Sequence, residues 1–253
     1  MEPAGQTDNP QTSGGWMREL FRGHGWCVLA AALATIAVEV GTAAFAWRVD
    51  VPAARAAVAT LAVAVLWVAM TAGPLSAGAD TALRSVLRGG AVVDASIPAL
   101  ILLAAVGPVT ALGAVKVYCI LAAVALWSVA LVRIARTPWG RHALGTAAGV
   151  VLFVMLTSPL WTGGLLGAAD GAARRNIVWL AVAANPFYAV ATATVESTGF
   201  VWHQAPLMYS LTPIGDHVAA PSPPWYATVV IYAGLGAIFA GIALLRGGKS
   251  AAE

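Results

Sequence analysis

Charge is the scarcest property of this sequence: Asp, Glu, Lys and Arg together make up 10% of its 253 residues. A soluble domain carries roughly a quarter, so there is too little polar surface here to cover a body facing water. The apolar residues reach 60% and the mean hydropathy is +0.80. These values define an all-α, polytopic integral membrane protein. Cysteine is nearly missing as well. Cys27 and Cys119 both fall in apolar runs, which excludes a disulfide framework and leaves them as small packing residues.

Catalytic patterns are lacking too. The four histidines, His24, His142, His203 and His217, do not form the His-Glu-x-x-His spacing that would set two zinc ligands on one helical face. His203 and His217, with Asp216 beside the second, read as loop residues rather than a metal pair. No Gly-x-Ser-x-Gly elbow occurs, and no paired intramembrane carboxylates stand ready for proton-driven chemistry. The C-terminal Arg246-Gly-Gly-Lys-Ser is not a phosphate loop, because that motif needs glycine where Ala243 stands, inside an apolar run. The expectation is a protein that is not an enzyme and carries no cofactor. The sequence pI is about 9.1, but its lysines and arginines are scattered between spans, which gives no nucleic-acid surface.

What the chain has is long apolar runs. A hydrocarbon core about 30 Å thick needs roughly 20 helical residues. Spans are expected near residues 26–47, 56–77, 97–115, 117–135, 143–166 and 225–245, within a single membrane domain over 16–247. Residues 1–15 and 248–253 read as polar tails. Before the first span, Trp16, Met17 and Leu20 fall to one side of a short helix and Arg18, Glu19 and Arg22 to others, which predicts an interfacial segment. Glu196–Pro224 contains no Lys or Arg and reads as an external loop.

The stretch from Ala172 to Val195 is apolar but carries Asn185-Pro186 near its middle. Asparagine is costly in lipid without partners. Proline leaves the carbonyl four residues earlier, that of Val182, without its helix donor. Irregular backbone at membrane depth survives only against protein or water, so residues 177–198 are expected to form a re-entrant or broken hairpin. With the N-terminus in the cytoplasm and six spans, nine basic residues lie inside and five outside, in the sense of the positive-inside rule. A second layout, with 97–115 on the cytoplasmic side and 177–195 crossing, gives the same ratio. Hydropathy favours the first. Both keep the two termini in the cytoplasm.

Glu39 is the one acid well inside a clear span. Such a group faces a partner or a cavity. It reads as a packing hydrogen bond or as a substrate-path or coupling residue, and Lys116 is one candidate partner. Alanine-rich faces around it permit close helix packing.

The plan of a short N-terminal amphipathic helix, six spans and a broken apolar segment before the last span resembles the permease subunits of type-2 ATP-binding-cassette exporters. The element Ala183-Ala-Asn-Pro-Phe-Tyr-Ala-Val190 is similar to one found in that family's external hairpin, and Gly107–Lys116 is faintly similar to its cytoplasmic stretch after span two. The acidic signature of that cytoplasmic loop is represented only by Asp80. The resemblance implies a bacterial cytoplasmic (inner) membrane, a homo- or hetero-dimer with a second permease, and a separate ATPase chain. It implies that Gly78–Asp94, with Arg84 and Arg88, docks the ATPase, and that Asn185 and Pro186 break a hairpin capping the exit. The competing expectation is a non-catalytic anchor or assembly subunit of a larger membrane complex.

Overall fold

The computed structural model describes residues 25–49, 53–106, 109–157, 171–195 and 223–249. The expected interfacial helix and the loop histidines lie outside them. The described residues form helices and no strands. They are α1 (Gly25–Arg48), α2 (Ala53–Ala77), α3 (Ala82–Asp94), α4 (Ile97–Val106), α5 (Ala111–Arg133), α6 (Pro138–Leu156), α7 (Gly171–Ala183), α8 (Pro186–Val195) and α9 (Trp225–Lys249). Six stretches among them are long and apolar enough to cross a membrane: Gly25–Arg48, Arg55–Ala77, Ala82–Ala105, Ala111–Arg133, Pro138–Leu156 and Trp225–Arg246. The chain is an all-α polytopic membrane protein.

The third crossing differs from the expected one. The apolar run 97–115 is not one helix. α4 stops at Val106, and α5 begins at Ala111, where the Thr110 side chain accepts a hydrogen bond from the Gly113 N–H. Threonine at an N-cap satisfies one of the donors that a helix start leaves open. The missing length comes from the other side, where Gly78–Asp94, read above as a loop, is chiefly the helix α3. Its buried face holds Ser85, Arg88, Gly89, Val92 and Val93, while Leu83 and Val86 are exposed. Polar groups point inward and apolar ones outward, the arrangement lipid requires. Proline at 98 has no N–H and cannot serve the Asp94 carbonyl, so the helix pauses at Ala95 and Ser96 and resumes as α4.

α5 and α2 form the centre, with α3, α6, α8 and α9 packed around them and α1 resting on α2. Leu61, Val65 and Val68 of α2 meet Val117, Ile120 and Leu121 of α5 and Phe187 and Val190 of α8 in the largest buried cluster. α2 and α6 touch backbone to backbone. A Cβ placed on Gly145 would stand 2.8 Å from the Pro74 nitrogen and 2.9 Å from the Gly73 carbonyl carbon. Small residues allow this approach, and van der Waals contact between close helices is the main source of stability in lipid.

Arginines mark one end of the bundle. Arg133 at the end of α5 and Arg141 in the first turn of α6 each donate through Nη1 to the Ala79 carbonyl, just past α2, at 3.3 Å. Arg246 of α9 donates to the Ile134 carbonyl, and Arg136 to that of Arg246. The ends of α2, α5, α6 and α9 and the start of α3 therefore lie together. Cations at helix C-termini are favoured by the helix dipole and by the open carbonyls there.

Gly145→Ala is expected to lower the unfolding free energy by about 1–3 kcal/mol, the range for overpacking. Gly234→Ala, whose Cβ would meet nothing within 4 Å, is expected to leave it unchanged or raise it by up to about 1 kcal/mol, because alanine is the better helix former. Denaturant unfolding of the detergent-solubilised chain measures both, and equal effects would contradict the close α2–α6 contact.

Candidate functional site

Among the described residues, two of the polar constellations in the interior sit at helix breaks. The first is the junction between α7 and α8. The chain leaves α7 at Ala183 and enters α8 at Pro186, so Asn185 is the N-cap and Pro186 the first helical residue. The fixed φ of proline and its missing N–H suit that position. The Asn185 Oδ1 accepts from the Phe187 N–H at 3.0 Å, and its Nδ2 donates to the Met155 carbonyl near the end of α6 at 2.7 Å. Asn185 is 1% exposed.

The carbonyls released by the break are met one by one. The Asn185 N–H donates to the Val182 carbonyl at 3.2 Å. The Thr228 hydroxyl of α9 donates to the Ala183 carbonyl at 2.6 Å, and the Tyr232 hydroxyl to the Ala184 carbonyl at 2.9 Å. Tyr232 is held by an edge-to-face contact with Trp127 of α5, ring centroids 5.3 Å apart. The expected orphan at Val182 is thus filled by a tightened turn, and the last span supplies the remaining donors. α7 and α8 have 13 and 10 residues, each too short for a core that needs about 20. α8 lies buried against α2 and α5.

The second constellation is a polar layer at mid-bundle. Glu39 of α1, 1% exposed, accepts a hydrogen bond at Oε1 from the Ser96 hydroxyl at 2.8 Å. Ser96 reaches it because the helix pauses there. The Lys116 pairing considered above is corrected: the Lys116 Nζ instead stands over the Trp225 ring, 5.8 Å from its centroid. Two residues before Ser96, Asp94 lies on the outer face of α3 and accepts at Oδ1 from the Tyr118 hydroxyl of α5 at 2.7 Å. At 1.5 Å per residue, Glu39 stands about 21 Å from the start of α1, and Asp94 about 18 Å from the start of α3. Tyr118 lies about 22 Å from the end of α5, so the three share one level.

Arg84 and Arg88 are placed differently from each other. Arg84 pairs with Asp80 at 2.9 Å at the arginine end. Arg88 is 3% exposed, and its Nη1 lies 3.6 Å from where a Cβ on Gly78 would be. Arg88 therefore works inside the corner between α2 and α3 rather than on a surface. Asn185 and Pro186 are together at the opposite end, beside Met155. Glu39 belongs to neither group.

The sequence reading missed Thr228, Tyr232, Ser96, Asp94 and Tyr118. Threonine, serine and tyrosine in apolar runs carry no signal of their own, and Asp94 stands in a stretch that reads as a loop. Among the described residues, no group of three or more His, Cys, Asp or Glu is placed to hold a metal ion. Comparison of the chain with family models, with curated proteins and with solved structures finds no match in any of the three. The six long apolar helices define a polytopic integral membrane protein.

Two substitutions test the polar constellations. Thr228→Val is nearly isosteric but removes the donor to Ala183, and Ser96→Ala removes the donor to Glu39. Each is expected to destabilise the protein by about 1–3 kcal/mol, the penalty for a buried polar group left unmet. Unfolding midpoints within error of wild type for both would show that water or lipid reaches these groups.

Proposed function

We propose that the chain is the membrane-spanning permease subunit of an ATP-driven transporter and works with a separate ATPase chain. The observation that carries this reading is the α7–α8 break. A proline-broken helix pair whose freed carbonyls are capped by the last span is a built discontinuity, and transporters use such discontinuities beside their pathways. It stands where the resemblance to type-2 exporter permeases calls for a broken hairpin, just before the final span.

On this reading the arginine end faces the cytoplasm, in keeping with the positive-inside rule, and both termini lie there. The break then caps the external side. Arg136, which is exposed, is the docking cation for the ATPase at this end, while Arg84, whose side chain is 12% exposed and pairs with Asp80, and the buried Arg88 hold the corner behind it. Glu39 couples α1 to the Ala95–Ser96 pause in the third crossing. A relative movement of α1 and α3–α4 has to break or carry along the Glu39–Ser96 hydrogen bond.

Affinity purification of the chain from its native membranes in mild detergent is expected to retain a stoichiometric ATPase subunit bearing a phosphate loop. Arg136→Glu is expected to reduce that retention several-fold, since reversing an exposed rim charge weakens steering and pairing. Unchanged retention would remove the docking assignment. A stable partner with a bound redox cofactor and no ATPase would favour the anchor-subunit reading instead.

A further inference from the structure

Asp94 is a carboxyl on the outside of the bundle at the middle of a crossing. The rest of that face, Leu83, Val86, Ile97 and Ile101, is apolar and exposed, as lipid contact requires. An acid in such a position is expensive and ordinarily faces a partner or a cavity. Beside it runs a groove of about 340 Å3 between α4 and α5, lined among others by Ile97, Ile101, Ala104, Ala114, Val115 and Tyr118. It is an open groove on the surface of the bundle rather than an enclosed cavity. The groove's own lining is apolar; Asp94 stands outside it, three residues before Ile97 on the same helical face, and is tied to the groove wall through the Tyr118 hydroxyl. From there the groove extends toward Ala104 and Ala111, away from the arginine end. The nearest lysine in sequence, Lys116, is turned to Trp225.

We propose that the groove between α4 and α5 binds lipophilic organic cations, with the Asp94 carboxylate as counter-charge. The apolar wall takes the body of such a molecule, and the Tyr118 ring offers its face to the positive charge. The Tyr118 hydroxyl, by donating to one carboxylate oxygen, ties the side chain to the residue that forms the groove wall. Charge complementarity selects the occupant. An ordinary lipid tail would leave the carboxyl against hydrocarbon, and an anion would be repelled. As a binding site the groove stands without the ATPase. As a substrate class for transport it rests on the permease reading.

The test uses tetraphenylphosphonium and tetraphenylborate, near-identical bodies of opposite charge, with the purified full chain in nanodiscs of neutral lipid. The expected result is saturable binding of the phosphonium alone. Asp94→Asn should weaken it about tenfold or more, the loss of one charge-assisted contact. Asp94→Glu should retain it, and Ile101→Trp should block it by filling the groove. Equal uptake of both ions, or phosphonium binding unchanged in Asp94→Asn, would overturn the proposal. So would an Asp94→Asn variant that only changes the chain from dimer to monomer in light scattering, because a second copy would then be what covers Asp94. None of these outcomes depends on whether an ATPase co-purifies, so the permease reading stands or falls separately.

Discussion

Lipid offers no hydrogen bonds, and every backbone group within the membrane must find its partner inside the protein. The helix breaks among the described residues are arranged around that constraint. A continuous helix meets it automatically; a break does not. At the α7–α8 junction the exposed carbonyls of Val182, Ala183 and Ala184 are answered by Asn185, Thr228 and Tyr232. At Ala95–Ser96 the Ser96 N–H returns to the Val93 carbonyl and the Ser96 carbonyl starts the next helix through Leu100. The same serine offers its hydroxyl to Glu39. The two breaks differ in what they leave over: the first is closed by the last span, while the second brings one buried acid and one outward-facing acid to the same depth.

Packing explains why the breaks are tolerated. α5 touches nearly every other element, and α2 is pressed against α6 through Gly73 and Gly145. Alanine-rich faces bring backbones together, and dispersion over that close surface offsets the irregular segments. The arginine end adds a second anchor, since Arg133 and Arg141 converge on one carbonyl at the foot of α2. Their Nη1 atoms can be no further apart than twice their common distance to it. The repulsion between them is offset by the negative end of the α2 dipole.

Much of this was legible in the residues, for local reasons. α1, α2 and α9 announce themselves by apolar length, α1 in spite of Glu39; α5 and α6 do so as well, but each begins five or six residues before the expected 117 and 143, at Ala111 after Thr110 and at Pro138 after Thr137. The break at Asn185-Pro186 could be read because a cap and a first-turn proline are neighbours in sequence. The third crossing was obscured because α3 is polar on the inside. Arg84, Arg88 and Asp94 lower its average hydropathy and make it look like a loop, although their spacing puts Ser85, Arg88 and Val92 on one face. Residues 97–115 read as one span although they contain Gly107-Pro108, and the signal against this is Thr110, a capping residue three positions before Gly113. The donors of the α9 span could not be read at all, because Thr228 and Ala183 are separated by 45 residues. Only the packing of α9 joins them.

The central claim is that α3 and α4 together make one crossing, so that the arginine end and the α4–α5 turn lie on opposite faces of the membrane. Single cysteines introduced as Thr81→Cys, Arg136→Cys and Thr110→Cys, in a chain with Cys27 and Cys119 replaced by alanine, test it directly with a membrane-impermeant thiol reagent. The account predicts that the position-110 variant is labelled from one side of sealed cells or vesicles and the variants at 81 and 136 only from the other. Labelling of positions 81 and 110 from the same side would contradict it.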